Sequence, residues 1–328
     1  MLSYIIRRCL LMIPILFLVS VVSFFVMELP PGDFVDSRIK QLVDMKVDVT
    51  EEVIANIRHR YGLDVPAYKR YWMWITNFVQ GDLGYSLAWQ MPVRDLLLSR
   101  FALTAVLSIA TLLFTWAVAF PIGIYSAVKQ YSLADFFWTF VGFIGLAIPN
   151  FLIALVLMYI SFTYFPDVDI GGLFSREFQR AAWSWPKFID FLAHLWIPII
   201  VIGTAGTAGL IRVVRANLID ELKKPYVVMA RSKGLSEVRT VLKYPVRIAL
   251  NPFFSTVGWI LPSIIAGETI VAIVLGLPTA GPLLLEAVKS QDMQLAGAYI
   301  MLSATLVVIG TLVSDIILVI VDPRIRYN

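Results

Sequence analysis

The fold of this chain follows from the stretch Pro225-Tyr226-Val227-Val228-Met229-Ala230-Arg231-Ser232-Lys233-Gly234, the centre of a basic segment between two long apolar runs. The segment, residues 212–247, carries nine Lys/Arg and three Asp/Glu. Proline suits the first position of a helix and glycine suits the residue after its end, so the stretch predicts a short helix. An excess of cations beside apolar spans predicts the cytoplasmic side of a membrane. We therefore expect a short cytoplasmic helix that docks against a cytoplasmic partner.

The composition is that of a polytopic membrane protein. Of the 328 residues, 59% are hydrophobic and 15% are charged, whereas soluble domains have about 25% charged residues. The net charge of +4 does not indicate nucleic-acid binding, because the excess cations lie in one short loop beside apolar spans. The single cysteine, Cys9, excludes a disulfide framework and a cysteine-based metal site.

Six runs are long and apolar enough to cross a bilayer as helices, and they predict an all-α membrane protein. These runs are residues 9–27, 101–128, 136–166, 191–211, 248–267 and 295–321. We expect the first to be a retained helix rather than a signal peptide, because Glu28-Leu29-Pro30-Pro31 is no small-residue cleavage site. Arg7 and Arg8 place the N-terminus in the cytoplasm, and six spans place residues 212–247 and the C-terminus there too.

The chain divides into residues 1–100, the first span with a structured outer loop, and residues 101–328, a membrane core. The loop predicts a helix over residues 50–62 and another over 66–81, and Pro92 would open a third short helix. The second of these helices has an apolar stripe of Tyr68, Tyr71, Trp72, Ile75, Phe78 and Val79. We favour packing of this stripe on the membrane core over contact with headgroups or with an external partner.

Of two further segments, one is rich in aromatic residues and the other is interrupted by glycine and proline. In the outer segment 171–187, Trp183 and Trp185 are predicted to anchor the membrane interface, with a substrate-facing role as the alternative. Residues 268–292 are interrupted by Gly276, Pro278, Gly281 and Pro282. Non-helical backbone at membrane depth persists only where protein or water covers it, so this segment predicts a re-entrant element or a place along a pathway.

The sequence lacks the motifs of several enzyme classes. It has no phosphate-binding loop of the G-x-x-x-x-G-K-[ST] type, no H-E-x-x-H and no G-x-S-x-G. His194, alone in a span, is interpreted as a packed residue rather than a ligand. The carboxylates Glu268 and Asp315 lie at or near membrane depth and are candidates for function, although helix-to-helix hydrogen bonding explains Asp315 equally well. We expect no cofactor bound by this chain itself.

The predicted cytoplasmic helix has an apolar face. At helical spacing, Tyr226, Met229, Ala230 and Lys233 share one side, and such a helix fits a groove of another protein. Pairing of the flanking Arg and Lys with anionic lipid is the alternative. Lipid pairing explains the charge, but it does not explain a Pro-to-Gly helix with its own apolar face.

This segment resembles the coupling segment of ABC transporter permeases of the oligopeptide/dipeptide permease family. The strict pattern, Glu-Ala-Ala then three residues then Gly, is matched only at Ala230 and Gly234. A looser form fits through Tyr226, Ala230, Arg231, Lys233, Gly234 and Leu235. Further similarities run along nearly the whole chain: Tyr4-Ile5-Ile6-Arg7-Arg8, Pro31-Gly32-Asp33, Tyr61-Gly62-Leu63-Asp64, Gly81-Asp82-Leu83-Gly84-Tyr85-Ser86, Pro149-Asn150-Phe151 and Asp322-Pro323-Arg324-Ile325-Arg326.

The resemblance implies a type I ABC importer permease fold with six transmembrane helices in a bacterial or archaeal cytoplasmic membrane. It implies a second, homologous permease subunit, two ATP-binding subunits that hold ATP and Mg, an extracytoplasmic solute-binding protein and contact with membrane lipid. By the same resemblance, coupling to the ATPases falls to Pro225, Tyr226, Met229, Ala230, Arg231, Lys233, Gly234 and Leu235. Pro149, Asn150 and Glu268 are the expected pathway residues.

The family resemblance implies peptides as substrates, and oligosaccharides are the alternative because aromatic faces such as those around Trp183 and Trp185 suit sugar rings. A proton-coupled carrier that works alone is the alternative from another class. The breaks at residues 276–282 suit such a carrier, but it often shows inverted repeats, and the sequence has no convincing internal repeat. An intramembrane enzyme is disfavoured by the missing motifs.

Overall fold

The computed structural model describes residues 2–28, 65–86, 88–164, 171–179, 181–250, 253 and 269–321, and this part of the chain is mostly α-helical. The helices and strands, in chain order, are α1 (Leu2–Glu28), α2 (Ala67–Val79), β1 (Tyr85–Ser86), β2 (Met91–Pro92), α3 (Val93–Val128), α4 (Leu133–Ala147), α5 (Asn150–Tyr164), α6 (Trp185–Leu222), α7 (Pro225–Ser232), α8 (Glu237–Lys243), α9 (Pro245–Ala249), α10 (Thr269–Val274), α11 (Ala280–Lys289) and α12 (Met293–Val321).

Four helices of the described residues are long and apolar enough to cross a membrane, and a bent pair makes a fifth span if it counts as one. The four are α1, α3, α6 and α12, which match four of the predicted runs. The predicted run 248–267 lies mostly outside the described residues. A sixth span and the cytoplasmic placement of both termini therefore stay predictions.

The third predicted span is not one straight helix. It consists of α4 and α5, which meet at an angle of 94°. The cause is Pro149, since the residue before a proline is pushed out of the helical region. Ile148 accordingly has φ −92° and ψ 122°, and its N–H still closes the last turn of α4 on the carbonyl of Ile144 at 3.0 Å.

The chain splits into two compact units, and the first contains residues 1–102 and 280–312. Its core joins the start of α3 to α11 and α12 through Leu97, Leu283 and Leu295. The β1–β2 hairpin is held by the buried Asp292 carboxylate, which accepts a hydrogen bond from the Ser86 hydroxyl at 2.6 Å. The same carboxylate accepts the N–H of Leu295 at 3.1 Å and so caps α12.

In this unit α2 begins after Pro66 and ends before Gly81, as the sequence predicts. It packs on α1, where the ring of Phe24 lies 5.5 Å from Tyr71 and 6.2 Å from Trp74. The predicted stripe is only half right, because Tyr68, Trp72 and Val79 are exposed. The side that faces inward instead follows the spacing i, i+3, i+4, i+7 from Tyr71.

Two other predictions for the outer loop have different outcomes. A helix over residues 50–62 lies outside the described residues. A short third helix after Pro92 is wrong, because the chain enters the 36-residue helix α3 directly. No glycine interrupts its first turns, so nothing in the sequence would end a short helix there.

The second unit contains residues 103–279 and 313–328. Its core joins α3, α5, α6, α10 and the segment 171–174 through Leu107, Ala154, Val201, Val271 and Leu173. The predicted break near residue 276 is present, since α10 ends there and Gly276 has φ +63°. Whether residues 268–292 form a re-entrant element stays a prediction.

The long helices of this unit approach closely at small residues. A Cβ on Gly123 of α3 would lie 2.8 Å from the Val214 Cβ of α6. A Cβ on Gly203 of α6 would lie 3.0 Å from the Phe114 ring of α3. Small residues allow such close packing between membrane helices, and here they join α3 to α6 along their length.

Candidate functional site

The short helix predicted to begin at Pro225 is present as α7, which follows the end of α6 at Leu222 after two residues. Its cytoplasmic placement stays a prediction. Lys224, with φ −70° and ψ 147°, separates the two helices. Gly234 follows the end of α7 with φ +77°, and its N–H donates to the carbonyl of Arg231 at 2.9 Å. A Cβ at Gly234 would meet nothing within 4 Å, so the left-handed backbone and not lack of space favours glycine there.

The helix α7 has one buried and one exposed apolar side. Val227 and Ala230 are 0% and 6% exposed, whereas Val228 and Met229 are 55% and 62% exposed. The predicted shared face therefore divides: Met229 and Lys233 lie outward, and Ala230 lies inward. Outward apolar side chains on a short helix are what a groove of a partner would take.

The buried side of α7 is the part that fixes the helix to the rest of the chain. Tyr226 is half-buried, and its hydroxyl donates to the Glu221 carboxylate at 2.6 Å. Burial and then the Glu221 carboxylate raise the pKa of the Tyr226 hydroxyl, so it stays a neutral donor. This bond ties the first turn of α7 to the last turn of α6.

A second tie joins α7 to α8. The Arg231 guanidinium donates through Nε at 3.0 Å and through Nη2 at 2.6 Å to the two carboxylate oxygens of Glu237. These bonds hold the pKa of the Glu237 carboxyl below its ordinary value. Leu235, half-buried between the helices, accepts the Thr240 hydroxyl through its carbonyl at 3.5 Å. The Arg231–Glu237 pair is exposed, so it orients α7 relative to α8 but contributes little to stability.

Beneath α7 the helices pack in series. The helix α7 contacts α8, α8 contacts α9, and α9 contacts α6. A core of Val241, Val246, Ala249 and Leu218 joins α8, α9 and α6, and Ala127 brings in the end of α3. A displacement of α7 therefore has a continuous packed route into the two longest helices of the unit.

A buried ion pair extends this route to α4. Arg215 of α6 donates through Nε and Nη2 to the two Asp135 oxygens, each at 2.8 Å. Asp135 is 2% exposed, and it also accepts the N–H of Tyr131 at 2.9 Å. Ser132 caps α4 by accepting the Asp135 N–H at 3.2 Å. The pair thus holds the turn before α4 and the start of α4 against α6.

Sequence reasoning missed this pair, because its members are 80 positions apart and neither belongs to a motif. The spacing of Ser132 and Asp135, which resembles a capping box, indicates where α4 begins. It does not indicate which cation Asp135 meets.

The predicted pathway residues fall at the bend between α4 and α5. Pro149 makes the bend and Asn150 begins α5. The Asn150 side-chain amide donates to the carbonyl of Ile202 at 3.3 Å, and its oxygen is buried without a partner in the described part of the chain. Glu268 lies outside the described residues. A role of Pro149, Asn150 and Glu268 in the pathway stays a prediction.

The remaining candidates from the sequence are His194, Trp183, Trp185 and Asp315. His194 lies with Nδ1 2.8 Å from the carbonyl of Asp190, so it is a hydrogen-bonded packed residue. Trp183 packs edge-on against Phe174 and Phe191 but remains exposed, as does Trp185. Asp315 lies within α12, and its side chain is outside the described residues. Among the residues that the structure describes, no group of three His, Cys, Asp or Glu could hold a metal ion.

Comparison with known proteins covers the whole chain. A family described as the inner membrane component of binding-protein-dependent transport systems matches residues 119–327. An N-terminal membrane-component family of the same systems matches residues 1–108. The chain is 36% identical over 331 residues to an oligopeptide transport system permease protein of Bacillus subtilis, covering all of both chains.

Two other relatives also match over the full length of both chains. One is a glutathione transport system permease protein of Escherichia coli, 32% identical over 330 residues. The other is a di/tripeptide transport system permease protein of Pseudomonas aeruginosa, 32% identical over 340 residues. All three relatives are named as permease proteins of transport systems for peptides or for glutathione, itself a peptide.

Proposed function

Because the chain belongs to the family of binding-protein-dependent transport system inner membrane components, we propose that it is the permease subunit of an ATP-driven peptide importer. It is a multi-pass inner-membrane protein and a transport subunit, not itself an enzyme. Full-length similarity to permeases of oligopeptide, di/tripeptide and glutathione systems supports peptides as the substrate class.

The observation that carries the proposal is α7. It is a short helix with a proline start, a left-handed glycine end and outward Val228 and Met229. Its inward side is fixed by Val227, Ala230 and the Tyr226–Glu221 bond. A helix held rigidly on one side and apolar on the other suits transmission of force from a partner.

In the proposed mechanism two partner ATPase subunits bind ATP and Mg and dock on α7 of this chain and on its counterpart in a second, homologous permease. Closing of the ATPases displaces α7. The displacement passes through α8 and α9 to α6, because these helices pack in series. The Asp135–Arg215 pair then carries it to α4 and the bend at Pro149.

Alternating access follows from moving α6 and the bent pair together relative to α3. An extracytoplasmic binding protein delivers the peptide to the outward-open state of the permease. ATP binding and hydrolysis then return the permease to its starting state. Of the coupling residues, Met229 and Lys233 supply outward contact, and Pro225, Gly234 and Leu235 shape the segment. Arg231 holds α7 to α8.

The test is ATP hydrolysis by the assembled complex of this chain, the second permease, the ATPases and the binding protein. Binding protein loaded with di- to pentapeptides is expected to stimulate hydrolysis, and short oligosaccharides are expected to leave it at the basal rate. Stimulation only by oligosaccharides would contradict the substrate class. Failure to assemble with any ATPase would contradict the docking role of α7 and favour a carrier that works alone.

A further inference from the structure

The helix α2 has a row of large apolar side chains that α1 does not cover. The row consists of Tyr68, Trp72 and Val79, which are 63%, 59% and 79% exposed. Their spacing of i, i+4 and i+11 places all three on one side of the helix. We call these residues the exposed apolar row.

The exposed apolar row lies between the side of α2 that packs on α1 and a polar side. Its members lie roughly 60–100° round the helix from the inward Tyr71, at 3.6 residues per turn. Further round, at roughly 140–240° from Tyr71, are exposed polar side chains. They are Lys69, Thr76, Asn77 and Gln80, and Met73 also lies on that side. The apolar surface of α2 is therefore wider than the part that α1 covers.

Contacts with α1 fix the level of α2 along that span. The hydroxyls of Tyr71 and Ser20 are hydrogen-bonded at 2.8 Å, and the Arg70 guanidinium pairs with Glu28 through Nε at 3.1 Å. Ser20 and Glu28 are eight residues apart, or roughly 12 Å along a helix. The helix α2 therefore lies beside the last two turns of α1, which is apolar enough to cross the membrane. This is the level at which acyl chains give way to headgroups.

The exposed apolar residues of α7 lie at a different level. The helix α6 continues to Leu222, which is eleven residues, or roughly 16 Å, past the apolar run that ends at residue 211. The helix α7 follows after Lys223 and Lys224, so it lies beyond the apolar run. The exposed apolar row of α2 lies beside such a run. A soluble protein fits the surface of α7, whereas lipid fits the surface of α2.

The composition of the exposed apolar row also fits lipid. Tryptophan and tyrosine are enriched where membrane meets water, because their rings are apolar and their N–H and O–H groups reach polar partners. Val22, Phe25 and Val26 of α1, at the same level, are 53%, 62% and 44% exposed. An amphipathic helix in this interface buries its apolar side about 5–10 Å into the boundary between headgroups and acyl chains.

We propose that α2 lies in the plane of the membrane interface, with the exposed apolar row among lipid acyl chains and the polar side among headgroups. The partner of this surface is the lipid bilayer and not a second protein. The Arg70–Glu28 pair and the Ser20–Tyr71 bond hold α2 against α1 at this depth. The inference goes beyond the transport function and does not depend on the substrate.

The experiment measures the depth of single spin labels by electron paramagnetic resonance. Cys9→Ser removes the only cysteine of the chain, and Trp72→Cys or Val79→Cys then places a label on the exposed apolar row. Asn77→Cys, on the polar side of the same helix, is the matched control. All three side chains are exposed, so these substitutions leave the packing of α2 on α1 in place. The full chain, in its complex with cysteine-free partner subunits, is placed in vesicles of phosphatidylethanolamine and phosphatidylglycerol.

The two collision partners of the label are oxygen, which concentrates among acyl chains, and a charged nickel chelate, which stays in water. The ratio of oxygen to nickel collision rates is expected to be at least fivefold higher at positions 72 and 79 than at position 77. Equal ratios at the three positions would overturn immersion of the row. Low collision rates with both reagents at position 72 would overturn lipid as the partner, because a protein would then cover the row.

A second measurement identifies the molecule that touches the row. A photo-reactive residue at position 72 of the same complex is expected to cross-link to phospholipid. The same residue at position 17, where Phe17 is 56% exposed within the span α1, is the positive control for lipid contact. Cross-links from position 72 to another subunit, with lipid cross-links from position 17, would overturn the inference. Normal peptide transport by that complex would leave the proposed function intact.

Discussion

Removing the charge of Asp135 is the perturbation with the clearest structural basis. Asp135→Asn keeps the shape of the side chain but breaks the ion pair with Arg215, which donates two hydrogen bonds of 2.8 Å each to the Asp135 carboxylate. Breaking a buried pair costs roughly 3–5 kcal/mol, because one charge is left buried without compensation. The Arg215 side chain is 26% exposed and partly hydrated. We therefore expect Asp135→Asn to lower the free energy of unfolding by the low end of this range, about 3 kcal/mol.

The assay is thermal unfolding of the purified complex, followed by fluorescence. At roughly 2 °C per kcal/mol for a large domain, Asp135→Asn should lower the melting temperature by about 6 °C. The matched control is Arg231→Gln, which breaks the exposed pair with Glu237 and should cost at most about 1 kcal/mol. The double exchange Asp135→Arg with Arg215→Asp should recover part of the loss.

The Asp135–Arg215 pair also has a predicted functional role. If Asp135–Arg215 carries motion from α6 to α4, the Asp135→Asn complex should still hydrolyse ATP while peptide uptake falls more than hydrolysis. A melting temperature no lower than that of Arg231→Gln, with uptake and hydrolysis both normal, would refute it.

Three further predictions concern the helix contacts and the docking segment. Gly234→Asp should leave membrane insertion intact and weaken transport, at a backbone cost of about 1–2 kcal/mol in the left-handed region, and normal uptake would contradict this. Gly123→Ala should destabilise the complex by about 1–3 kcal/mol, because its Cβ would lie 2.8 Å from that of Val214. Gly209→Ala, whose nearest contact is 4.0 Å away, is the control and should not lower the melting temperature. Met229→Asp should reduce copurification of the ATPase subunits at least tenfold without changing the melting temperature of the isolated chain; full copurification would count against docking on α7.

Local chemistry made part of the structure predictable. Pro225 and Gly234 marked the ends of α7 because each acts through its own backbone dihedral angles. The same holds for Pro66 and Gly81 at α2. The bend at Pro149 acts by the same local rule, yet a single span was predicted because the apolar run continues through it.

Tertiary contacts were not predictable. Val227 and Ala230 have the same apolar character as Val228 and Met229, and only packing on the rest of the unit decides which pair is buried. The partners Asp135 and Arg215 are 80 positions apart, and the pattern of neither segment indicates that they meet. Periodicity identifies a face, but it does not identify the neighbour.

Cross-linking from position 229 shows most directly whether α7 docks on an ATPase subunit. A photo-reactive residue at position 229, in intact membranes containing the whole complex, should cross-link to an ATP-binding subunit. The same residue at position 162, where Phe162 is exposed on α5, is the control and should not do so. Cross-links from position 229 to lipid alone, in a complex that still transports peptide, would contradict docking of α7 on an ATPase subunit.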